Sequence, residues 1–246
     1  VLASGEDLDL TVEPRTVTKT GDGVVVGGHR IIPQKQEGLY TVAWHPIGGQ
    51  PDLKMLCALS DALENIPEAE MRLSPNETAL IINLTGVEAE KVLALTAGGA
   101  ETAFESSVSC IGGQTCQVGT RDSQGLLAAC VAAVREAKLP AGALPCIHIS
   151  GCPSSCGTHQ TGTMGFRGTS KLVDGKPQAA FTFFLGGDDR QGHEIMGREL
   201  GVILESRVPE FLVKLGRTVA DSGLTYAAWA AKDPAAIDAV AAEFLA

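Results

Sequence analysis

The chain has 246 residues, a formal net charge of −10 and 44% hydrophobic residues. This length is enough for one large domain or two small ones with a sizeable core. The acidic balance disfavours nucleic-acid binding, and no apolar run in the sequence is long enough to span a membrane. The seven cysteines are an odd number, which argues against a disulfide scaffold and favours metal ligation in a reducing cytoplasm.

Residues 1–37 are expected to form a linker or an extended N-terminal segment, because turn-forming residues interrupt any periodic pattern there. The pattern of a small α+β unit follows in residues 38–98. Its predicted elements are a strand at 39–47, a helix at 52–66, strands at 69–73 and 78–84, and a helix at 87–95. The order β-α-β-β-α predicts a ferredoxin-like half-domain.

Residues 99–246 are expected to form a second domain, in which strands alternate with helices. The predicted elements are helices at 123–137 and 207–222, a buried strand at 146–149, strands at 162–168 and 179–185 joined by a hairpin, and a last helix from Pro234. The fold class is therefore predicted to be α+β, a ferredoxin-like unit followed by an α/β domain. The sequence contains neither a phosphate-binding P-loop nor a nucleophilic hydrolase motif.

Four of the cysteines form two pairs in glycine-rich stretches. Cys110 and Cys116 have the spacing C-x5-C, and Cys152 and Cys156 have the spacing C-x3-C. Four thiolates suit either a [4Fe–4S] cluster or a tetrahedral zinc ion. Structural zinc usually takes closer pairs than C-x5-C, whereas small neighbouring residues let the backbone wrap around a bulky inorganic core.

The run I-S-G-C-P-S-S-C-G-T-H at residues 149–159 resembles the second cluster loop of the nitrite and sulfite reductase family, which binds sirohaem and a [4Fe–4S] cluster. Residues 38–48 and 71–82 resemble that family's small ferredoxin-like repeat. The similarity covers roughly residues 30–235. Members of the family are commonly about twice this length and carry two such repeats, so the chain resembles the second, C-terminal repeat alone.

The resemblance implies a set of cofactors, partners and roles. Cys110, Cys116, Cys152 and Cys156 would hold the cluster, and Cys156 would also bridge to the sirohaem iron. The implied reaction is the six-electron reduction of nitrite to ammonia or of sulfite to sulfide, with ferredoxin or a flavoprotein as electron donor. The substrate-contacting basic residues of the family lie mainly in the first repeat. An N-terminal half or a partner subunit is therefore expected to complete the enzyme.

Three further residues are candidates for cofactor contact. Arg72 lies at the end of a predicted strand, where the family's equivalent repeat holds an arginine near the haem, although a solvent-facing arginine is an equal alternative. His159 and Gln160 follow Cys156 closely, and an imidazole there suits either a metal ligand or a supporting residue. Cys57 and Cys130, in contrast, belong to helical apolar patterns and are predicted to be buried small hydrophobes.

Other functional classes remain open from the sequence. One is a [4Fe–4S] electron-transfer subunit without catalysis of its own, which the acidic charge and the length favour. Another is a haem-and-cluster oxygenase related to precorrin-3B synthase, and a third is a structural zinc protein. Cofactor content distinguishes the electron-transfer subunit and the zinc protein from the other two, because only the reductase and the oxygenase need both a cluster and a haem.

Overall fold

The computed structural model describes residues 16–246, which form two β-sheets with helices packed against them. The first 15 residues of the expected N-terminal segment lie outside the described residues. Within the described chain, no helix combines the length and the hydrophobicity needed to cross a membrane. The mixed α+β class predicted from the sequence is confirmed.

The first sheet is antiparallel, with the strand order β1-β2-β4-β3. Its elements are β1 (Ile31–Pro33), β2 (Tyr40–Trp44), α1 (Leu53–Glu64), β3 (Glu70–Leu73), β4 (Ala79–Leu84) and α2 (Gly86–Leu95). Strand β4 lies between β2 and β3, the two strands that α1 connects, which is the split β-α-β arrangement. Helices α1 and α2 cover one face of the sheet through Leu59 and Val92, which are fully buried.

Strand β1 comes from the segment that was expected to be a linker. Ile31 pairs with Val42 and Pro33 with Tyr40, so β1 extends the edge of the first sheet. The same segment is held at Lys19, whose Nζ donates to the carbonyls of Pro67 and Asn83. A three-residue edge strand carries no periodic signal of its own, so only pairing with β2 defines it.

The second sheet has the strand order β5-β6-β7-β8-β9 and mixes parallel and antiparallel pairs. Its strands are β5 (Val108–Ser109), β6 (Ile147–Ser150), β7 (Met164–Val173), β8 (Lys176–Leu185) and β9 (Arg198–Leu204). The helices are α3 (Ser123–Glu136), α4 (Val208–Asp221), α5 (Tyr226–Lys232) and α6 (Ala236–Ala242). Strands β5, β6 and β7 are parallel, and the hairpin between β7 and β8 turns at Asp174–Gly175 as predicted.

The two faces of the second sheet differ in polarity because side chains alternate along each strand. Phe166 of β7 and Phe183 of β8 stack at 5.2 Å, and Phe183 also meets Phe211 of α4 edge-on at 5.1 Å. This apolar face forms the core against the helices. His148 and Arg167 lie on the opposite face, which therefore needs polar partners from another part of the chain.

Side-chain caps fix where four of the helices begin, among them α1, α2 and α3. Asp52 accepts a hydrogen bond from the Met55 amide at the start of α1, and Thr85 forms a capping box with Glu88 at the start of α2. Asp122 accepts from the Gly125 amide at the start of α3. The last of these caps matters for the site, because residue 122 also ends the loop that contains the first cysteine pair.

Candidate functional site

Two cysteine-containing loops leave neighbouring strands at the same edge of the second sheet. The first cysteine loop is residues 110–122, after β5, and the second cysteine loop is residues 151–163, after β6. Because β5 and β6 are parallel, with Ser109 opposite Ile149, their carboxyl ends lie side by side. In open α/β sheets this edge is where ligands bind, so the topology brings both cysteine pairs to a favourable place.

The two loops are hydrogen-bonded to each other around Cys110. The amide of Gly151 donates to Cys110 Sγ at 3.1 Å, and Ser123 Oγ lies 3.1 Å from the same sulfur. The Arg121 amide donates to the Gly151 carbonyl at 3.0 Å, and Thr120 Oγ1 donates to it at 2.7 Å. Hydrogen bonds to a ligand sulfur are among the contacts by which a protein tunes a metal centre.

Glycines allow the backbone of these loops to approach other backbone closely. A Cβ on Gly151 would lie 2.5 Å from the Arg121 carbonyl oxygen, and one on Gly157 would lie 2.1 Å from the Ile149 carbonyl oxygen. No larger residue fits at either position without moving the main chain. The glycine-rich composition noted in the sequence therefore serves backbone packing at the loops.

The four candidate ligands differ in exposure. Cys152 is buried, Cys110 and Cys116 are half-buried, and Cys156 is exposed. Among residues 16–246, no three Cys, His, Asp or Glu side chains converge closely enough to hold one metal ion. A tetrahedral zinc ion needs its sulfurs within about 4 Å of one another, given a Zn–S distance of about 2.3 Å. An iron–sulfur cluster is wider, and four thiols on two adjacent glycine-rich loops, with the Gly151 amide directed at Cys110, suit its chemistry.

The second cysteine loop folds over the polar face of the second sheet. His148 Nδ1 lies 2.8 Å from Thr158 Oγ1, and the Gly157 amide donates to Ser150 Oγ at 3.1 Å. A Cβ on Gly165 would lie only 1.7 Å from the carbonyl oxygen of His159. The polar face thus receives its partners from the loop, and the sheet fixes the position of the loop.

His159 belongs to the second cysteine loop, and its side chain is fully buried. Its ring lies 5.0 Å from that of Phe184, and Ser155 Oγ lies 3.3 Å from its Nδ1 while also contacting Gln160. Burial, together with the nearby Arg167 guanidinium, lowers the pKa of His159 to about 4, so the imidazole is neutral near pH 7. Its Nε2 is buried and has no hydrogen-bond partner in the described protein.

We expect the stability of the unloaded protein to decrease as the pH falls from about 6.5 to about 4, because an unfolded chain protonates His159 in this range and the folded chain does not. In a His159→Gln variant, the decrease in the free energy of unfolding over this pH range should be smaller by about 1 to 3 kcal/mol. Urea unfolding at several pH values in this range measures the free energy of unfolding. His193→Gln, at an exposed histidine, is the matched control. Superimposable acid profiles for the two variants would contradict the assignment.

The remaining sequence candidates lie elsewhere. Arg72 is on the edge strand β3 with 64% of its side chain exposed, and its hydrogen bonds in the described chain go to Glu70. Cys130 is buried in α3 as predicted, and burial raises the pKa of its thiol. The prediction for Cys57 is wrong, since this residue is exposed on α1. Successive helix residues turn by about 100°, so Cys57 faces away from the buried Leu59.

Sequence reasoning missed Glu77, which lies between the strands predicted at 69–73 and 78–84. Its Oε1 accepts a hydrogen bond from the Ser109 amide at 3.2 Å, one residue before Cys110. Its Oε2 is buried without a partner, and burial raises the pKa of the carboxyl to about 7. A glutamate after Ser-Pro-Asn has no local signal for burial, because the contact joins residues more than 30 positions apart.

The sequence of the chain was compared with those of known proteins. No family model matches it. It is 29% identical over 160 residues to the ferredoxin–nitrite reductase of Synechococcus elongatus, over 63% of this chain and 31% of that protein. It is 24% identical over 221 residues to sulfite reductase (ferredoxin) 1 of Mycolicibacterium paratuberculosis, over 82% of this chain and 39% of that protein. The chain is a relative of the nitrite and sulfite reductases. The resemblance stated from the cysteine motif is thereby confirmed.

The fold agrees with this relationship. The solved structure of the Mycobacterium tuberculosis NirA protein matches with a TM-score of 0.63 and 21% identity, over 84% of this chain and 39% of that one. The nitrite and sulfite reductase fold expected from the sequence is therefore present. The chain spans less than half the length of the curated relatives described above.

Proposed function

We propose that this relative of the nitrite and sulfite reductases is their cluster- and sirohaem-binding half. Residues 38–98 form the ferredoxin-like half-domain and residues 99–246 the cofactor-binding domain, with residues 1–37 as the segment that leads into them. Electrons from ferredoxin or a flavoprotein reach nitrite or sulfite through the cofactors, and an N-terminal half or partner subunit completes the substrate site. The seven free cysteines fit a reducing compartment such as the cytoplasm.

The observation that carries this proposal is the pairing of the two cysteine loops at the carboxyl ends of β5 and β6. This pairing sets Cys110 beside the loop of Cys152 and Cys156, with the Gly151 amide already directed at the Cys110 sulfur. A [4Fe–4S] cluster bound there supplies one-electron transfer, and its potential is set by burial and by hydrogen bonds to sulfur. Cys110, Cys116, Cys152 and Cys156 would hold it.

The exposure of Cys156 supports its proposed second role. It is the exposed member of the four, so its thiolate is accessible from outside the loop to a second metal centre such as the sirohaem iron. Within the same loop, buried His159 and the neighbouring Gln160 both contact Ser155 Oγ and so hold the conformation of the loop, and His159 Nε2 has no partner in the described protein. Exposed Arg72 remains a candidate for a cofactor carboxylate, because a guanidinium binds carboxylates in pairs of hydrogen bonds.

A second candidate is an electron-transfer subunit that holds the cluster without sirohaem. One observation favours it: the net charge of −10 is a poor match to an anionic substrate. In both candidate functions the same four cysteines hold the cluster. The two functions differ in whether the chain also binds sirohaem.

Anaerobic reconstitution of the full chain with iron and sulfide, followed by addition of sirohaem, tests both candidates. We expect about four irons and four sulfides per chain with broad cluster absorbance, and then sirohaem bands that stay with the protein through gel filtration. Cluster absorbance without retained sirohaem would favour the electron-transfer subunit. One zinc per chain, with no cluster after reconstitution, would overturn both.

A further inference from the structure

Glu77 occupies an unusual position between the two sheets. It ends the turn between β3 and β4, yet its carboxyl group lies against Gly49 and reaches the edge strand β5 of the second sheet. Oε1 accepts the Ser109 amide at 3.2 Å, and Oε2 is buried with no partner in the described protein. The free edge of β5 is thus capped by a side chain from the first sheet.

A carboxylate in this position costs more free energy than a neutral side chain would. A glutamine would accept the same amide hydrogen bond and would avoid the cost of placing a negative charge in a poorly solvated site. Within the described chain, no cation forms an ion pair with Glu77 that could offset this cost. The property that glutamate adds is the ability to bind and release a proton near neutral pH, consistent with its pKa of about 7.

The titratable neighbours do not supply a compensating charge. His45, which directly follows β2, is buried and hydrogen-bonded through Nδ1 to Thr78 at 3.0 Å, and burial lowers its pKa. Cys146, just before β6, has a thiol whose pKa rises to about 11, through burial first and then through nearby carboxylates that include Asp189 and Glu77. Both groups are neutral near pH 7, so neither offsets the charge of Glu77. An added negative charge at the first cysteine loop would therefore favour the protonated form of Glu77.

We propose that Glu77 binds a proton when an iron–sulfur cluster at the cysteine loops is reduced, and so couples electron arrival to proton uptake. This inference rests on the proposed function. One electron from the donor adds a negative charge beside Ser109 and Cys110, and one proton from water converts the Glu77 carboxylate to the acid at Oε2. No cluster bond is broken. Glu77 contacts the Ser109 amide and is not itself a ligand.

The test compares the pH dependence of the cluster midpoint potential in the reconstituted wild type, Glu77→Gln and Glu90→Gln. Glu90 is an exposed glutamate on α2 and serves as the matched control. The potential of the wild type and the control should fall as the pH rises through about 7, because electron transfer then requires a proton. Glu77→Gln should lose most of this slope. A slope equal to that of the wild type would overturn the inference.

An infrared titration of the unloaded chain separates this inference from the proposed function. A protonated-carboxyl band that is present in the wild type and absent in Glu77→Gln should disappear as the pH rises from about 6 to about 8. If that band is seen but no variant takes up iron, the proposed function fails and the inference fails with it. If iron is taken up but no such band titrates, the proposed function stands and the inference alone is overturned.

Discussion

A Cys156→Ser variant is expected to lose nearly all of its iron and sulfide after anaerobic reconstitution, while the protein stays folded. The thiolate is a far better iron ligand than a serine hydroxyl, and with one corner of the cluster unligated the remaining three cysteines hold the core weakly. Because Cys156 is exposed, the substitution itself should change stability by less than about 0.5 kcal/mol. Iron and sulfide analysis, with the visible spectrum, measures the loss.

The matched control for this experiment is Cys57→Ser. Cys57 is also exposed, but it lies on α1 of the first sheet's layer and outside both cysteine loops. Its replacement should leave iron content and absorbance at the wild-type level. Equal iron and sulfide in the Cys156 variant and the wild type would show that Cys156 is not a ligand of the cluster.

A Gly165→Ala substitution should destabilise the protein by about 3 kcal/mol and release the second cysteine loop from the sheet. The added Cβ would lie 1.7 Å from the His159 carbonyl oxygen, a contact that no side-chain rotation relieves, so the loop or β7 has to move. Thermal unfolding should show a decrease in melting temperature of about 10 °C. Since the loop carries Cys152 and Cys156, cluster uptake should fall as well.

Gly27→Ala provides the comparison. Nothing lies within 4 Å of a Cβ at Gly27, so the same chemical change there should leave the melting temperature almost unchanged. A Gly165→Ala protein as stable as Gly27→Ala would mean that the second cysteine loop does not rest on β7 as closely as the structure places it.

Local sequence patterns were sufficient to predict the elements that contain several turns of helix or a full strand. The helix predicted at 123–137 is α3, Ser123–Glu136, and the helix predicted at 207–222 is α4, Val208–Asp221. Apolar periodicity and a side-chain cap act within a few residues, so both can be recognised along the chain. The same holds for the spacing of the cysteine pairs, which indicated a metal centre and the family.

Short strands and buried polar groups depended on contacts between distant segments. Strands β1 and β5 have three and two residues, and each exists because a neighbouring strand offers hydrogen bonds to it. Sequence reasoning therefore assigned residues 31–33 to an extended segment and left residues 108–109 without a strand. Pairing between positions far apart in the chain leaves no periodic trace in either segment.

The sequence by itself determined the cysteine spacing, the order of the longer elements and the relationship to the nitrite and sulfite reductases, because these reside in local patterns. Only the tertiary structure decided that the two cysteine loops leave adjacent parallel strands, that His159 of the second loop is buried, and that Glu77 reaches Ser109. Burial and proximity arise when separate elements pack, and the same packing sets the pKa of Glu77 and of His159.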